Sequence, residues 1–201
     1  MLSVRLEGLD KAMRLFDERI VNRAASITIN ETVRGVRTAT NKEIRKEWNV
    51  KAGDLAKKLR AIKMAKVSDL EGIVEARSGS FSLSYFGAKS YNGTMVQTRV
   101  SGKRLNRASS RSGVYVKIKR SEGVTHMPHA FMAAVKAGKG GGYHIGIFHR
   151  KGKSRLKIIE RRVITVASMF NQEPVQQVAI KTIDDVFNRR FNHHIDRLMS
   201  K

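Results

Sequence analysis

The hydrophobic period of this chain changes twice, and that switch limits the folds open to it. Leu9, Met13, Phe16, Ile20, Ala24 and Ile27 recur at steps of three and four, and Val33, Val36, Thr40, Ile44 and Trp48 carry the pattern on less regularly. This is one face of an α-helix spanning residues 8–48. No proline precedes Pro128, and Gly35 is the one candidate kink, at a cost of about 1 kcal/mol against alanine. From Asn171 the helical period returns through Val175, Val178, Ala179, Thr182, Ile183, Val186, Phe187, Phe191, Ile195 and Leu198. Glu173 and Pro174 suit the first turn of that helix.

Between the helices the period is two. Ala52-Gly53-Asp54 punctuates the chain, with Asp54 read as an N-cap, and a short helix follows with Leu55, Leu59 and Ile62 on one side. Residues 61–67 and 70–77 alternate and form a predicted hairpin turning at Ser68-Asp69. Residues 87–113 have no period and read as loop. GVYVKIKR (113–120) alternates, AFMAAV (130–135) is a short apolar run, and YHIGIFHR (143–150) faces RLKIIERRVITV (155–166) across Lys151–Ser154. Glycine in that turn is available for positive φ. The fold class is α+β: a long N-terminal helix and a C-terminal helix packed around a mostly antiparallel β-sheet. We read one domain over 1–201, made of a helical part (1–60), a β core (61–170) with a basic loop near 90–113, and a terminal helix (171–201). Phe131, Phe148, Leu156 and Ile158 are the expected sheet core.

Charge narrows the functional classes. The 201 residues hold 40 Lys and Arg against 17 Asp and Glu, a net charge of +23. Solubility needs far less, so the surface is expected to work beside something negative. The excess is local. Residues 99–162 carry 17 basic residues and only Glu122 and Glu160 as acids. With no cysteine, disulfides, thiol nucleophiles and cysteine-based zinc sites are excluded. No run approaches a transmembrane helix, and the N-terminus, with Glu7 and Asp10 and no apolar core, does not read as a signal peptide, so the chain is expected to be soluble and to work without a membrane.

The chemistry-bearing motifs fail one by one. His126 and His129 form an H-x-x-H pair, His144 and His149 flank a strand, and His193 and His194 are adjacent, but residues 126–149 hold no Asp, Glu or Cys to complete a metal shell. KAGKGGGYH (136–144) has the wrong order for a phosphate loop. No Gly-x-Ser-x-Gly elbow and no paired carboxylates stand in the basic half. We therefore expect no enzyme, and no catalytic, cofactor or metal residues. Basic ribbons with Tyr115, Tyr143 and Phe148 could follow a phosphate backbone, so a nonspecific nucleic-acid-binding protein is the alternative reading. The candidate contact residues are Arg99, Lys103, Arg104, Arg107 and Arg111 on the loop, with Arg150, Lys151, Lys153 and Arg155 at the hairpin tip.

Two segments carry a resemblance. One is the region from Trp48 to Leu59. The other is Phe131 in A-F-M-A followed by Gly146-Ile147-Phe148-His149-Arg150-Lys151-Gly152 and Arg155-Leu156-Lys157-Ile158-Ile159-Glu160. In these residues and in element order the chain resembles the phage minor tail protein Z family, the tail completion proteins of long-tailed phages and prophages. It departs from the family at Val163–Phe170, where a Gly-Pro-Ser-like tract is usual. The resemblance implies a structural subunit acting in tail completion and head–tail joining. It implies a homo-oligomeric ring at the head-proximal end, in contact with other tail or neck proteins and with DNA passing through the tail as a further candidate. The implied location is the virion tail, after assembly in the host cytoplasm.

Overall fold

The computed structural model describes residues 2–3, 17–77, 79–91, 95–100, 103–108, 112–137, 142–152 and 157–200. Helix α1 runs unbroken over Glu18–Glu47. The stripe expected from the sequence is its inward face, and Val21, Ala25 and Ile29 are buried with it. Thr28, Thr32 and Thr40 also lie inside, because each hydroxyl donates to the carbonyl four residues back and so leaves no polar group unpaired. Gly35 does not break the helix. A Cβ there would meet Thr182 and Val186 at 3.6 Å, so the position marks close passage of another helix. The expected helical residues 8–16 lie outside the described residues.

The chain divides into two compact units. The first holds residues 1–45, 52–79 and 165–201. It contains α1 up to Arg45, the short helix α2 (Ala52–Ala56), the strands β1 (Leu2–Ser3), β2 (Leu59–Lys63) and β3 (Ile73–Ala76), and the helices α3 (Val166–Phe170) and α4 (Glu173–Met199). The strands form an antiparallel sheet in the order β1–β3–β2. Ile29, Val33 and Val36 of α1, Ala65, Val74 and Ala179 make its core, with Ile183 and Phe187 of α4 packed against them. A second cluster joins Val21 and Ala24 to Ile195, Phe191 and Leu198. All ten apolar-face positions expected on α4 are buried or half-buried. The side-chain amide of Asn30 pins the chain beyond β2 to α1, accepting from Ala65 N at 2.7 Å and donating to Ala65 O at 2.9 Å.

Three local expectations in this unit are corrected. Asp54 is no N-cap, since α2 starts at Ala52; it lies in the first turn and pairs with Lys57. Leu59 and Ile62 belong to β2, not to the short helix. Ile62 shares the outward side of β2 with Arg60, as alternation from Leu59 requires, and is 52% exposed while Leu59 is fully buried.

The second unit holds residues 46–51 and 80–164. Its strands are β4 (Ser80–Ser82), β5 (Lys89–Tyr91), β6 (Met95–Val100), β7 (Lys103–Ala108), β8 (Gly113–Val116), β9 (Thr125–Met127), β10 (Ala130–Ala137), β11 (Gly142–Arg150), β12 (Ile158–Glu160) and β13 (Arg162–Thr165), with a 3-10 turn at Leu83–Phe86. They group as β5–β8–β9, β10–β11–β12, β6–β7 and β4–β13. The segment read as loop is therefore largely strand: β5, β6 and β7 fall inside residues 87–113. Cross-strand pairing supplies what the sequence period lacks. Phe81, Phe86, Val114, Val116 and Ile147 are buried here. Trp48 is buried too, bridges to Lys119, and carries the Lys119 ammonium 5.2 Å above its ring. The next residue, Asn49, donates its amide to Lys117 O at 3.0 Å. The Trp48-Asn49 pair is thus a structural rivet.

Candidate functional site

The candidate site is a surface. The sheet β10–β11–β12 is the place. Antiparallel register sets Phe131 opposite Phe148, Met132 opposite Ile147 and Ala134 opposite Ile145. On its other side β11 pairs His149 with Ile159 and Arg150 with Ile158. Directly opposed residues share a face. One face therefore carries Tyr143, Ile145, Ala134 and Ile159, and its outer part is open: Tyr143 is 76% exposed and Ile145 57%. Ile147, on the same face, is fully buried. Solvent thus meets Tyr143 and Ile145 on a strand that ends at Arg150, with Lys151 next in the turn. Such patches on otherwise polar proteins mark sites of association.

The opposite face explains why the hairpin holds its shape. The His144 ring Nε2 bonds to the Glu160 carboxylate, and Arg162 Nε donates to its other oxygen at 2.8 Å. Glu160 stands opposite Phe148, so it reaches His144 diagonally across Gly146. A Cβ on Gly146 would lie 2.9 Å from both the Glu160 carboxylate and the Phe148 ring. Burial alone would push the Glu160 carboxyl up, but the bonds from His144 and Arg162 outweigh it, with a smaller attraction from the buried Ser82 hydroxyl nearby. The net effect holds the group below the usual glutamate value. Sequence reasoning missed this partner for His144, because Glu160 is sixteen residues away and only the strand register brings it near. Among the described residues, no group of three or more His, Cys, Asp or Glu could hold a metal ion. His126 stacks on Tyr115 at 4.3 Å.

Six of the nine expected contact residues are described, and they fall on two separate hairpins. Arg150 is exposed, with its guanidinium 5.6 Å over the Phe131 ring. Lys151 is exposed in the turn, where its N–H donates to Lys157 O. The left-handed residue described in this turn is Lys157, with φ 71°, while Gly152, at φ 158°, is nearly extended. Arg99, Lys103, Arg104 and Arg107 stand on β6 and β7, with Arg99 directly opposite Arg104. Arg111, Lys153 and Arg155 lie outside the described residues, as does Leu156 of the expected core. Phe148 is buried and Phe131 half-buried as expected, but Ile158 is corrected: at 38% exposed it is a rim residue on the short edge strand β12.

The model of the prophage minor tail protein Z (GPZ) family matches residues 6–201. The chain belongs to that family. It is a structural component of the phage tail, with an α+β fold, and its place is the virion tail. No curated protein and no solved structure matches it. The family's Gly146-to-Glu160 signature now has a physical content: Gly146 clears the path between Glu160 and His144, and Phe148 is the buried anchor. Among the described residues, no helix is long and apolar enough to cross a membrane.

Proposed function

We propose that this minor tail protein completes the tail at its head-proximal end and takes part in head–tail joining, as a subunit of a homo-oligomeric ring without enzymatic activity. The observation that carries this reading is β11 itself, which holds the exposed Tyr143 and Ile145 on one face and ends at the exposed cations Arg150 and Lys151. An apolar centre with a charged rim suits a protein partner. Arg150 and Lys151 are the contact residues at this hairpin, with Lys153 and Arg155 next to them in sequence. The β6–β7 hairpin, with Arg99, Lys103, Arg104 and Arg107 and then Arg111 beyond it, is a second contact. Its backbone register sets Arg99 opposite Arg104. Ring closure would use two unlike faces of each subunit, as heterologous contacts do. The subunit assembles in the host cytoplasm.

The reading is tested with Arg150→Glu/Lys151→Glu. Circular dichroism of the variant should match that of the unaltered chain, because both side chains are exposed. Added to tails that lack this subunit, the unaltered protein should restore head-joined particles, and the variant should restore them about tenfold less or worse. Equal restoration by the variant would remove the hairpin tip from the contact surface.

The nucleic-acid reading retains one specific support, the +23 charge. It predicts tight binding of duplex DNA by the free chain with a steep loss of affinity as salt rises. The tail reading predicts weak binding without sequence preference.

A further inference from the structure

The first unit contains a basic groove that the tail contact described above does not use. On α1, Arg34, Arg37, Thr38, Asn41, Lys42 and Arg45 recur at helical spacing and line one side. Ala52, Gly53 and Ala56 of α2 form the other. The space is about 710 Å³. From Arg34 to Arg45 the row spans about 16 Å at the α-helical rise.

Four cations line this groove and no carboxylate does. Glu43 and Glu47 fall on the far side of α1 at 3.6 residues per turn. Glu31, one turn before Arg34, lies within 3.4 Å of Arg190 and 3.3 Å of His194. Asp54, beside Gly53, pairs with Lys57. Arg37 is held rigid, its Nε donating to Leu59 O and its Nη2 to Ala56 O, both at 2.8 Å. Those acceptors are neutral carbonyls, so its charge remains uncompensated. Arg45 points the same way: its Nε is buried without a hydrogen-bond partner. Next to Gly53 the wall is open, since a Cβ there would touch nothing within 4 Å.

We propose that this groove seats an acidic polypeptide segment of another protein, its carboxylates spaced to meet Arg34, Arg37, Lys42 and Arg45. Charge selects the occupant. A second copy of this chain is a poor source of such a segment, with 17 Asp and Glu against 40 Lys and Arg. No aromatic side chain lines the groove, so single-stranded nucleic acid finds no stacking platform. The carbonyls of Ala56 and Leu59 hold Arg37 through Nε and Nη2, which leaves the Nη1 donors for a carboxylate.

Fluorescence anisotropy of the whole chain with a labelled fifteen-residue glutamate-rich peptide tests this. A twenty-base-pair duplex and an oligo-dT strand of matched charge serve as rival probes, and light scattering follows self-association. Arg34→Glu/Lys42→Glu alters two surface positions on a helix, with circular dichroism as the folding control. The expected result is saturable peptide binding, weakened about tenfold or more by this variant and left unchanged by Arg150→Glu/Lys151→Glu. Equal peptide affinity in the groove variant would overturn the proposal. So would tighter binding of duplex or oligo-dT that the same variant abolishes, or a change in oligomeric state caused by it. If the variant unfolds, Lys42→Gln replaces it, with a threefold weakening expected and no change counting against the groove.

Discussion

Glu160 is the residue on which the exposed hairpin depends. Its carboxylate is mostly buried and joins His144 of β11 to Arg162 of β13. Because its pKa is lowered on folding, the folded chain binds fewer protons than the unfolded one in the acid range. Its stabilisation is therefore complete above the ordinary glutamate pKa and is lost as pH falls through the lower folded value. Urea midpoints measured between about pH 3 and 6 should show the unaltered chain losing stability toward acid more steeply than Glu160→Gln. At pH 7 the variant should be less stable by about 1–2 kcal/mol, the range for breaking a partly buried charge-assisted bond. Parallel pH profiles would show that Glu160 does not carry this term. Gly72 is a second sensitive residue. A Cβ there would stand 2.6 Å from a Val33 methyl and 2.7 Å from an Ile29 methyl. Both belong to stiff, buried β-branched side chains. Gly72→Ala should cost about 1–3 kcal/mol by overpacking, read as a drop in the thermal midpoint. An unchanged midpoint would mean that the strand approach to α1 is looser than drawn.

At the scale of elements, the helices and most strands were legible, and the misses have physical causes. α1 and α4 announce themselves because a 3.6-residue period repeated over many turns has no other use in a chain this polar. Strand β8 showed through the alternation of Val114 and Val116, both of which are buried. The hairpin β6–β7 was invisible because Thr98, Arg99, Lys103, Arg104, Asn106 and Arg107 give no alternation. Strand pairing there rests on backbone bonds between partners three to thirteen residues apart, which no side-chain period reports. Ile62 defeated the pattern because the segment is strand, where alternation from the buried Leu59 sends positions 60 and 62 outward. The candidate site was half legible. Its basic tip was named from charge, whereas the exposed pair Tyr143 and Ile145 appears only when the sheet leaves that face open. The basic groove of α1 was hidden because residues 1–50 hold ten basic and seven acidic residues and look balanced. Helical spacing sorts those charges onto different faces.

At the scale of the whole molecule, a +23 chain with an open apolar sheet face, a basic hairpin and a basic groove is built for contact with more than one neighbour. Such a chain suits a position where different parts of a particle meet. Virions assembled with this subunit carrying a small electron-dense tag at its C-terminus test that position directly. The account predicts that electron microscopy finds the tag at the head-proximal end of the tail, in several copies around its axis. A tag found at the distal tip, along the length of the tube, or absent from finished particles would contradict it.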